Sequence, residues 1–258
     1  MSLISVEGGH GVGGDPGAVG PSGLREADVT LAVSWKVREK LVAMGHDVLF
    51  CTPEKRAVQY QGDRAYYAMQ QGAAAHLSIH CNAAEDPSAH GFEAWANNLS
   101  DPTGKSITLA QALDTYCSPL VTADRGVKMC SDNARTQAVC SFAGPAVIAE
   151  LCFISNPAEE SMLASDGWRE SMASAIAQAI AQVFPSQPTS QYAHRAIFVP
   201  GSNVMSFDGR SVQLPQPVMI VQGSTFVPLR ALVEAQGGVA TPTFAPTGEV
   251  IQIEWRYN

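Results

Sequence analysis

His10, Glu26 and His80, with Glu150 further along, are the residues whose types suit hydrolytic metal chemistry. They stand in the segments VEGGHGVGGDPGAVG, GLREADV, AHLSIHCNA and AVIAELCFISN. Two imidazoles and a carboxylate are suitable ligands for a catalytic zinc ion that keeps one coordination position open. A second carboxylate outside that set is the base a zinc-activated water needs. The residue types therefore suggest hydrolysis before any fold is considered.

Each residue also has a plainer reading. GGHGVGG resembles a phosphate-cradling loop, although no GK[ST] or GxGxxG follows it. Glu26 opens a helical segment, where the helix dipole favours a carboxylate without any metal. Glu150 sits in the apolar run AVIAELCFI, which reads as a strand buried on both faces. A lone carboxylate there must be paired, hydrogen-bonded or near a metal, and a salt bridge to Arg125 is the competing account. Strand alternation puts Ser78, His80 and Asn82 on one face and Ile79 and Cys81 on the other, which separates Cys81 from His80. His76 shares the face of His80 but lies roughly 13 Å away along an extended strand, too far to share one zinc. His80, at the carboxyl end, is the better ligand and His76 reads as structural. Asn82, beside His80, is a candidate substrate contact. His46 and His194 read as solvated, and the direction of His90 stays open. No GxSxG and no Cys/His nucleophile pair supports covalent catalysis.

Elements able to position these groups follow from the pattern. Leu3 to Val6 reads as a strand running into the glycine-rich loop. Val29, Val33, Val37 and Leu41 form a stripe at four-residue spacing, predicting a helix over Arg25 to Met44 that Gly45 ends. A strand follows at His46 to Phe50, a helix at Arg64 to Gln71 and a strand at Ala75 to Ile79. Later come a helix near Ile107 to Cys117, a strand at Ala146 to Phe153, and an Ala-rich helix from about Ser161 to Phe184. Strands separated by helices predict an α/β fold, a twisted and largely parallel sheet with helices on both faces. Residues 1–184 would form this domain. PSQPTSQ marks a linker over 185–193, and 194–258 would be a small α+β domain with a helix in VPLRALVEAQGG.

Composition narrows the partners. Hydrophobic residues make up 46% and charged residues 16%, an ordinary globular balance. A net charge of −8 argues against nucleic acid or an anionic membrane as partner. No apolar run is long enough to span a bilayer, no secretory signal is visible, and synthesis in the cytoplasm is expected. The six cysteines form no CxxC or compact framework and read as buried free thiols. A monomer is expected.

Six ordered motifs over residues 3 to 184 resemble the zinc-dependent N-acetylmuramoyl-L-alanine amidases of the amidase-3 type. They are GGHG-x3-DPGA, LREADVTL, SIHCNA, GFEAW, DRGVK and PAVIAELCFISN. The resemblance implies one zinc ion held by His10, Glu26 and His80, with Glu150 as base. It implies peptidoglycan as substrate, cut at the amide between N-acetylmuramic acid and L-alanine. Glu7 stands where the family carries aspartate, but it precedes the loop and is not counted as a ligand. Some members carry a long helical insertion after the GFE motif that covers the site. Here only ANNLSDPTGKSI follows Trp95, so an open cleft is expected, as in a phage or prophage endolysin acting on the cell wall. The C-terminal segment resembles the copper amine oxidase N-terminal-like domain. His194 is its only histidine and it has no cysteine, so copper ligation is not expected; wall targeting is.

Overall fold

The computed structural model describes residues 2–11, 14–51, 61–133, 139 and 141–186, and beyond these the backbone of seven strands between 194 and 256. The chain divides into two compact units, Met1–Gln187 and Pro188–Asn258. In the first unit six strands form one sheet: β1 (Leu3–Gly8), β2 (Asp47–Cys51), β3 (Ala75–Asn82), β4 (Phe92–Ala96), β5 (Asp124–Met129) and β6 (Ala146–Phe153), in the order β2-β1-β3-β6-β4-β5. β1 pairs in parallel with β2 and β3, β3 with β6, and β4 with β5. Only the β4–β6 pairing is antiparallel. This is the largely parallel α/β sheet that the alternation of elements predicted.

Among the described residues five α-helices accompany the sheet: α1 (Glu26–Ala43), α2 (Gln61–Gln70), α3 (Lys105–Cys117), α4 (Pro157–Ala164) and α5 (Asp166–Val183). The α1 stripe of Val29, Val33, Val37 and Leu41 is fully buried. It packs with residues of α3 and α5 on Ile4, Val6, Leu77, Ile79, Val147, Ala149 and Leu151 of the strands. Ala65 and Ala68 of α2 instead join Ala146, Ile148 and Phe142 in a smaller cluster on the other face.

Strand alternation explains what remains on that second face. Ser5 and Glu7 of β1, His76, Ser78 and His80 of β3, Glu150 of β6, and Glu93 and Trp95 of β4 all point there. β6 is thus apolar toward the three helices and carries its carboxylate on the polar face. The burial on both faces read from AVIAELCFI holds along the strand except at Glu150, which is half-buried; Ala146 and Ile148 pack in the smaller cluster on the second face.

Two expectations need correction. The long helix over 161–184 is two helices, because Ser165 is extended (φ −76°, ψ 121°) and its Oγ accepts from Trp168 N, capping α5. His46 is buried rather than solvated: Gly45 adopts φ 89° and His46 N then donates to Leu41 O (3.0 Å), folding the residue back on the helix end. The short strands β4 and β5 lie within the GFEAW and DRGVK motifs and give no periodic signal of their own.

Buried carboxylates tie these pieces together. Glu159 of α4 accepts from Gly91 N (2.9 Å), Thr122 Oγ1 (2.7 Å) and Phe153 N (2.7 Å), joining the starts of β4 and β5 to the end of β6. Glu160 accepts from Ser22 N, Ser22 Oγ and Leu24 N and anchors the loop before α1. The five described cysteines, Cys51, Cys81, Cys117, Cys130 and Cys152, are free and buried. Cys140 lies outside the described residues.

Asp114 of α3 gives the fold a pH dependence. Burial and the neighbouring Asp124 carboxylate push its pKa up to about 6. Because the folded value is raised, the protonated carboxyl fits the fold without penalty below pH ~4, the unfolded value, and stability is lost as pH rises from there through 6. Asp114→Asn should therefore match the parent at pH 4 and melt higher at pH 7, by on the order of 2 °C because solvent screens the pair. Melting curves at the two pH values check this; an equal shift at both would contradict it.

In the second unit, β12, β13, β7, β8 and β9 (Val239–Thr243, Ile251–Arg256, His194–Phe198, Val204–Phe207, Arg210–Gln213) form an antiparallel sheet in that order. β10 (Met219–Val221) and β11 (Ser224–Phe226) form a hairpin. The helix expected in VPLRALVEAQGG and the linker after residue 186 lie outside the described residues. Among the described residues no helix is long and apolar enough to cross a membrane.

Candidate active site

The site lies where β1, β3 and β6 end and the antiparallel β4 begins. After Gly8 the chain turns sharply, and His10 adopts a left-handed backbone (φ 64°). This is an uncommon conformation for a side chain other than glycine. Hydrogen bonds hold the turn: Thr30 Oγ1 donates to Gly9 O (2.8 Å), and Arg64 donates to Gly8 O (2.7 Å) and His10 O (2.8 Å). Arg64 is itself paired with buried Glu7 (3.3 Å), whose other oxygen accepts from Ser78 Oγ. Burial raises the Glu7 pKa, but His76, Arg64 and Ser78 together outweigh it and hold the carboxyl below its ordinary value. Glu7 thus stands apart from the three candidate donors, yet through Arg64 it anchors the loop that presents His10.

Glu26, the first residue of α1, is buried. Its two oxygens accept from Cys81 N (2.9 Å) and Ala18 N (2.9 Å). The same oxygens face His80 Nδ1 at 3.1 Å and His10 Nε2 at 3.2 Å. One ligand atom from each of the three residues lies within 4.8 Å of the others. Ligands about 2.05 Å from a tetrahedral zinc would sit roughly 3.3 Å apart, so this donor set fits the ion. Glu26 and Asp15 raise the His10 pKa to about 9 against burial, while His10 and His80 hold the Glu26 carboxyl far below its ordinary range despite burial.

Asp15, which sequence reasoning did not single out, orients His10. Its Oδ2 lies 2.8 Å from His10 Nδ1 and its Oδ1 accepts from Gly17 N (3.0 Å). A carboxylate on the outer imidazole nitrogen is the usual support for a metal-ligating histidine. Its position in the DPGA part of the first motif was the available signal.

Glycines make room for these three side chains. A Cβ on Gly9 would lie 2.2–2.6 Å from the His80 ring, and one on Gly17 would lie 2.6 Å from Glu26 Oε2. Gly9→Ala should therefore displace His80 and weaken zinc binding at least tenfold while the melting temperature without zinc changes little. Zinc titration beside a melting curve tests this; unchanged zinc affinity would contradict it.

Glu150 pairs in register with His80 on one side and with Glu93 on the other. The three titratable side chains therefore stand in a row across the sheet. Glu150 is half-buried, its Oε2 is shielded from solvent without a hydrogen-bond partner, and burial pushes its pKa up to about 7. The competing salt bridge to Arg125 is not formed, since Arg125 Nε donates to Glu93 (2.7 Å). Asn82 lines the cleft; its Nδ2 donates to Glu93 (2.8 Å) and its Oδ1 accepts from Ala83 N (2.9 Å).

His10, Glu26, His80, Glu150, Glu93 and Trp95 share one cleft of about 330 Å³. Cys81 instead faces the core under the three helices. His76 is buried against Ser5 (2.9 Å) and stacked on Phe142. His90 is exposed, with Nδ1 on Ser88 O (2.6 Å).

Known proteins resemble the part of the chain that holds this cleft. The chain is 25% identical to the N-acetylmuramoyl-L-alanine amidase AmiC of Neisseria meningitidis over 216 residues, covering 69% of this chain and 51% of that protein. It thus spans about half the length of that relative. It is 35% identical over 184 residues to the uncharacterized protein YqiI of Bacillus subtilis, covering 69% of this chain and 82% of YqiI. The structure of the amidase AmiC2 of Nostoc punctiforme superimposes with a TM-score of 0.62 at 26% identity, covering 70% of this chain and 96% of that one. Residues 190–242 match the family described as copper amine oxidase N-terminal domain. Residues 4–182, which hold the whole cleft, match the family described as N-acetylmuramoyl-L-alanine amidase, and the chain belongs to that family.

Proposed function

We propose that this chain hydrolyses the amide joining N-acetylmuramic acid to L-alanine in peptidoglycan, using one zinc ion. The observation that carries this reading is the convergence of His10, Glu26 and His80 on one point, with Glu150 beside them on the next strand. His10, Glu26 and His80 would hold the ion, which when bound lowers the pKa of water and polarises the amide carbonyl. Glu150 takes the proton of the attacking water and passes it to the departing nitrogen of alanine. Its burial without a partner keeps it able to do both, since neither charge state is locked by a salt bridge. Asp15 fixes the tautomer and direction of His10. Asn82 keeps one amide hydrogen to offer the substrate.

Residues 1–184 would be the catalytic domain, 185–193 a linker and 194–258 a wall-targeting domain. The two compact units and the two separate family matches support this division. Residues 97–104 run from β4 to α3 without a helix. That short connection supports an open cleft acting on the bacterial cell wall, as an endolysin would.

Mass spectrometry of digested walls tests the reaction. Free alanine amino termini with intact glycan strands are expected; new termini within the stem peptide would instead make the chain a peptidase. A protein ending at Phe184 should keep activity on soluble fragments and lose binding to intact walls. Equal wall binding would remove the targeting role.

A further inference from the structure

Beside Glu150, the carboxylate of Glu93 collects four donors. Asn82 Nδ2 (2.8 Å) and Trp95 Nε1 (3.0 Å) donate to Oε1, while Arg125 Nε (2.7 Å) and Lys128 Nζ donate to Oε2. One carboxylate thus faces two cations, and the cluster stays positive in a chain of net charge −8.

Arg125 is held by its inner end. Its Nε is taken by Glu93 and its guanidinium carbon lies 4.8 Å from the Phe153 ring centroid. The plane is therefore fixed while the two terminal nitrogens have no partner among the described residues. The side chain is 38% exposed. Lys128 lies 5.1 Å over the Trp95 ring and is 30% exposed. A fixed guanidinium fork is shaped for a carboxylate, which it can bind through two parallel hydrogen bonds.

We infer that Arg125, with Lys128 beside it, binds a carboxylate of the peptide on the leaving side of the scissile amide. The inference rests on the amidase reading above. In that substrate the lactyl carboxyl is consumed in the amide and the sugar is neutral, so nearby free carboxylates belong to the peptide. The first is the α-carboxylate of the glutamate that follows alanine. Glu93 lies one strand spacing, about 4.8 Å, from Glu150. Two extended residues span roughly 7 Å, enough to carry that carboxylate from Glu150 past Glu93 toward Arg125. Amidation of that carboxylate would remove the contact, so the pair would select among peptidoglycans by the amidation of their second residue.

The test compares two soluble substrates with the full chain: N-acetylmuramoyl-L-alanyl-D-glutamate γ-methylamide, with its α-carboxylate free, and the same compound with that group as a primary amide. The wild type should show a KM at least tenfold lower for the acid at similar kcat, a preference that shrinks as salt is raised. Arg125→Gln should raise the KM of the acid to that of the amide and leave the amide unaffected. Lys128→Gln should do the same more weakly. Equal KM values in the wild type would overturn the inference without needing any variant to fold. An equal loss on both substrates in Arg125→Gln would also overturn it, because that is the signature of a purely structural ion pair. Cleavage of neither compound at the lactyl amide would overturn the amidase reading and the inference with it.

Discussion

Glu150→Gln should lower kcat on peptidoglycan fragments by about 10²–10⁴-fold, the range typical of losing a general base, while zinc content and KM stay near wild type. The amide is isosteric with the carboxyl but has no lone pair basic enough to take a proton from water. Folding should not suffer. Glu150 is on the polar face, makes no salt bridge, and burial already pushes its pKa up to about 7, so the fold gains little from its charge. A neutral group there should leave the melting temperature equal or slightly higher. Zinc analysis, melting and kinetics on one preparation separate loss of the base from loss of the metal. Wall hydrolysis by Glu150→Gln at the wild-type rate would remove the assignment.

The second large effect is expected at His80. His80→Ala removes one of three donors and leaves Glu26 facing His10 alone across an empty space. Bound zinc should fall from one per chain to near zero and activity should fall below detection. A stability readout accompanies it, because a ligand that binds only the folded state stabilises that state. At one hundred times Kd the gain is about 2.7 kcal/mol, or roughly 5–10 °C in melting temperature for a domain of this size. The wild type should show this rise on adding zinc and His80→Ala should not. Equal hydrolysis after exhaustive chelation would exclude the metal route, and an unchanged thermal response in His80→Ala would exclude His80 as a ligand.

Much of this site was legible before any coordinates, for identifiable physical reasons. Alternation along β3 is a property of every strand, so separating His80 from Cys81 needed no tertiary information. The α1 stripe predicted which face of the helix would be buried, and with it that Glu26 would start the first turn. The long helix near the end failed because a pattern of alanines says nothing about one extended serine whose hydroxyl caps the next helix. His46 failed because a glycine turn can return the chain to the core as readily as it releases it to water. Neither outcome is encoded in hydrophobic periodicity.

Glu93 and Arg64 show where local reading stops. Both lie in segments of ordinary composition, and their roles depend on partners 32 and 57 positions away, Arg125 and Glu7. Asp15, five positions from His10, was within reach of the sequence because a turn of that length closes on itself.

The sequence by itself determined the chemistry available: two imidazoles and two carboxylates in strand-end and helix-start segments, with motifs that name a family. Tertiary structure decided how those groups meet. It put β4 antiparallel beside β6, which set Glu93 opposite Glu150 and gathered Asn82, Trp95, Arg125 and Lys128 around it. It also left one face of the sheet polar, because three helices cover the other face while α2 packs over only part of this one. Strand order and helix placement come from the summed burial of the whole core. No single segment carries that information, and so the neighbours of Glu150 became visible only in the folded chain.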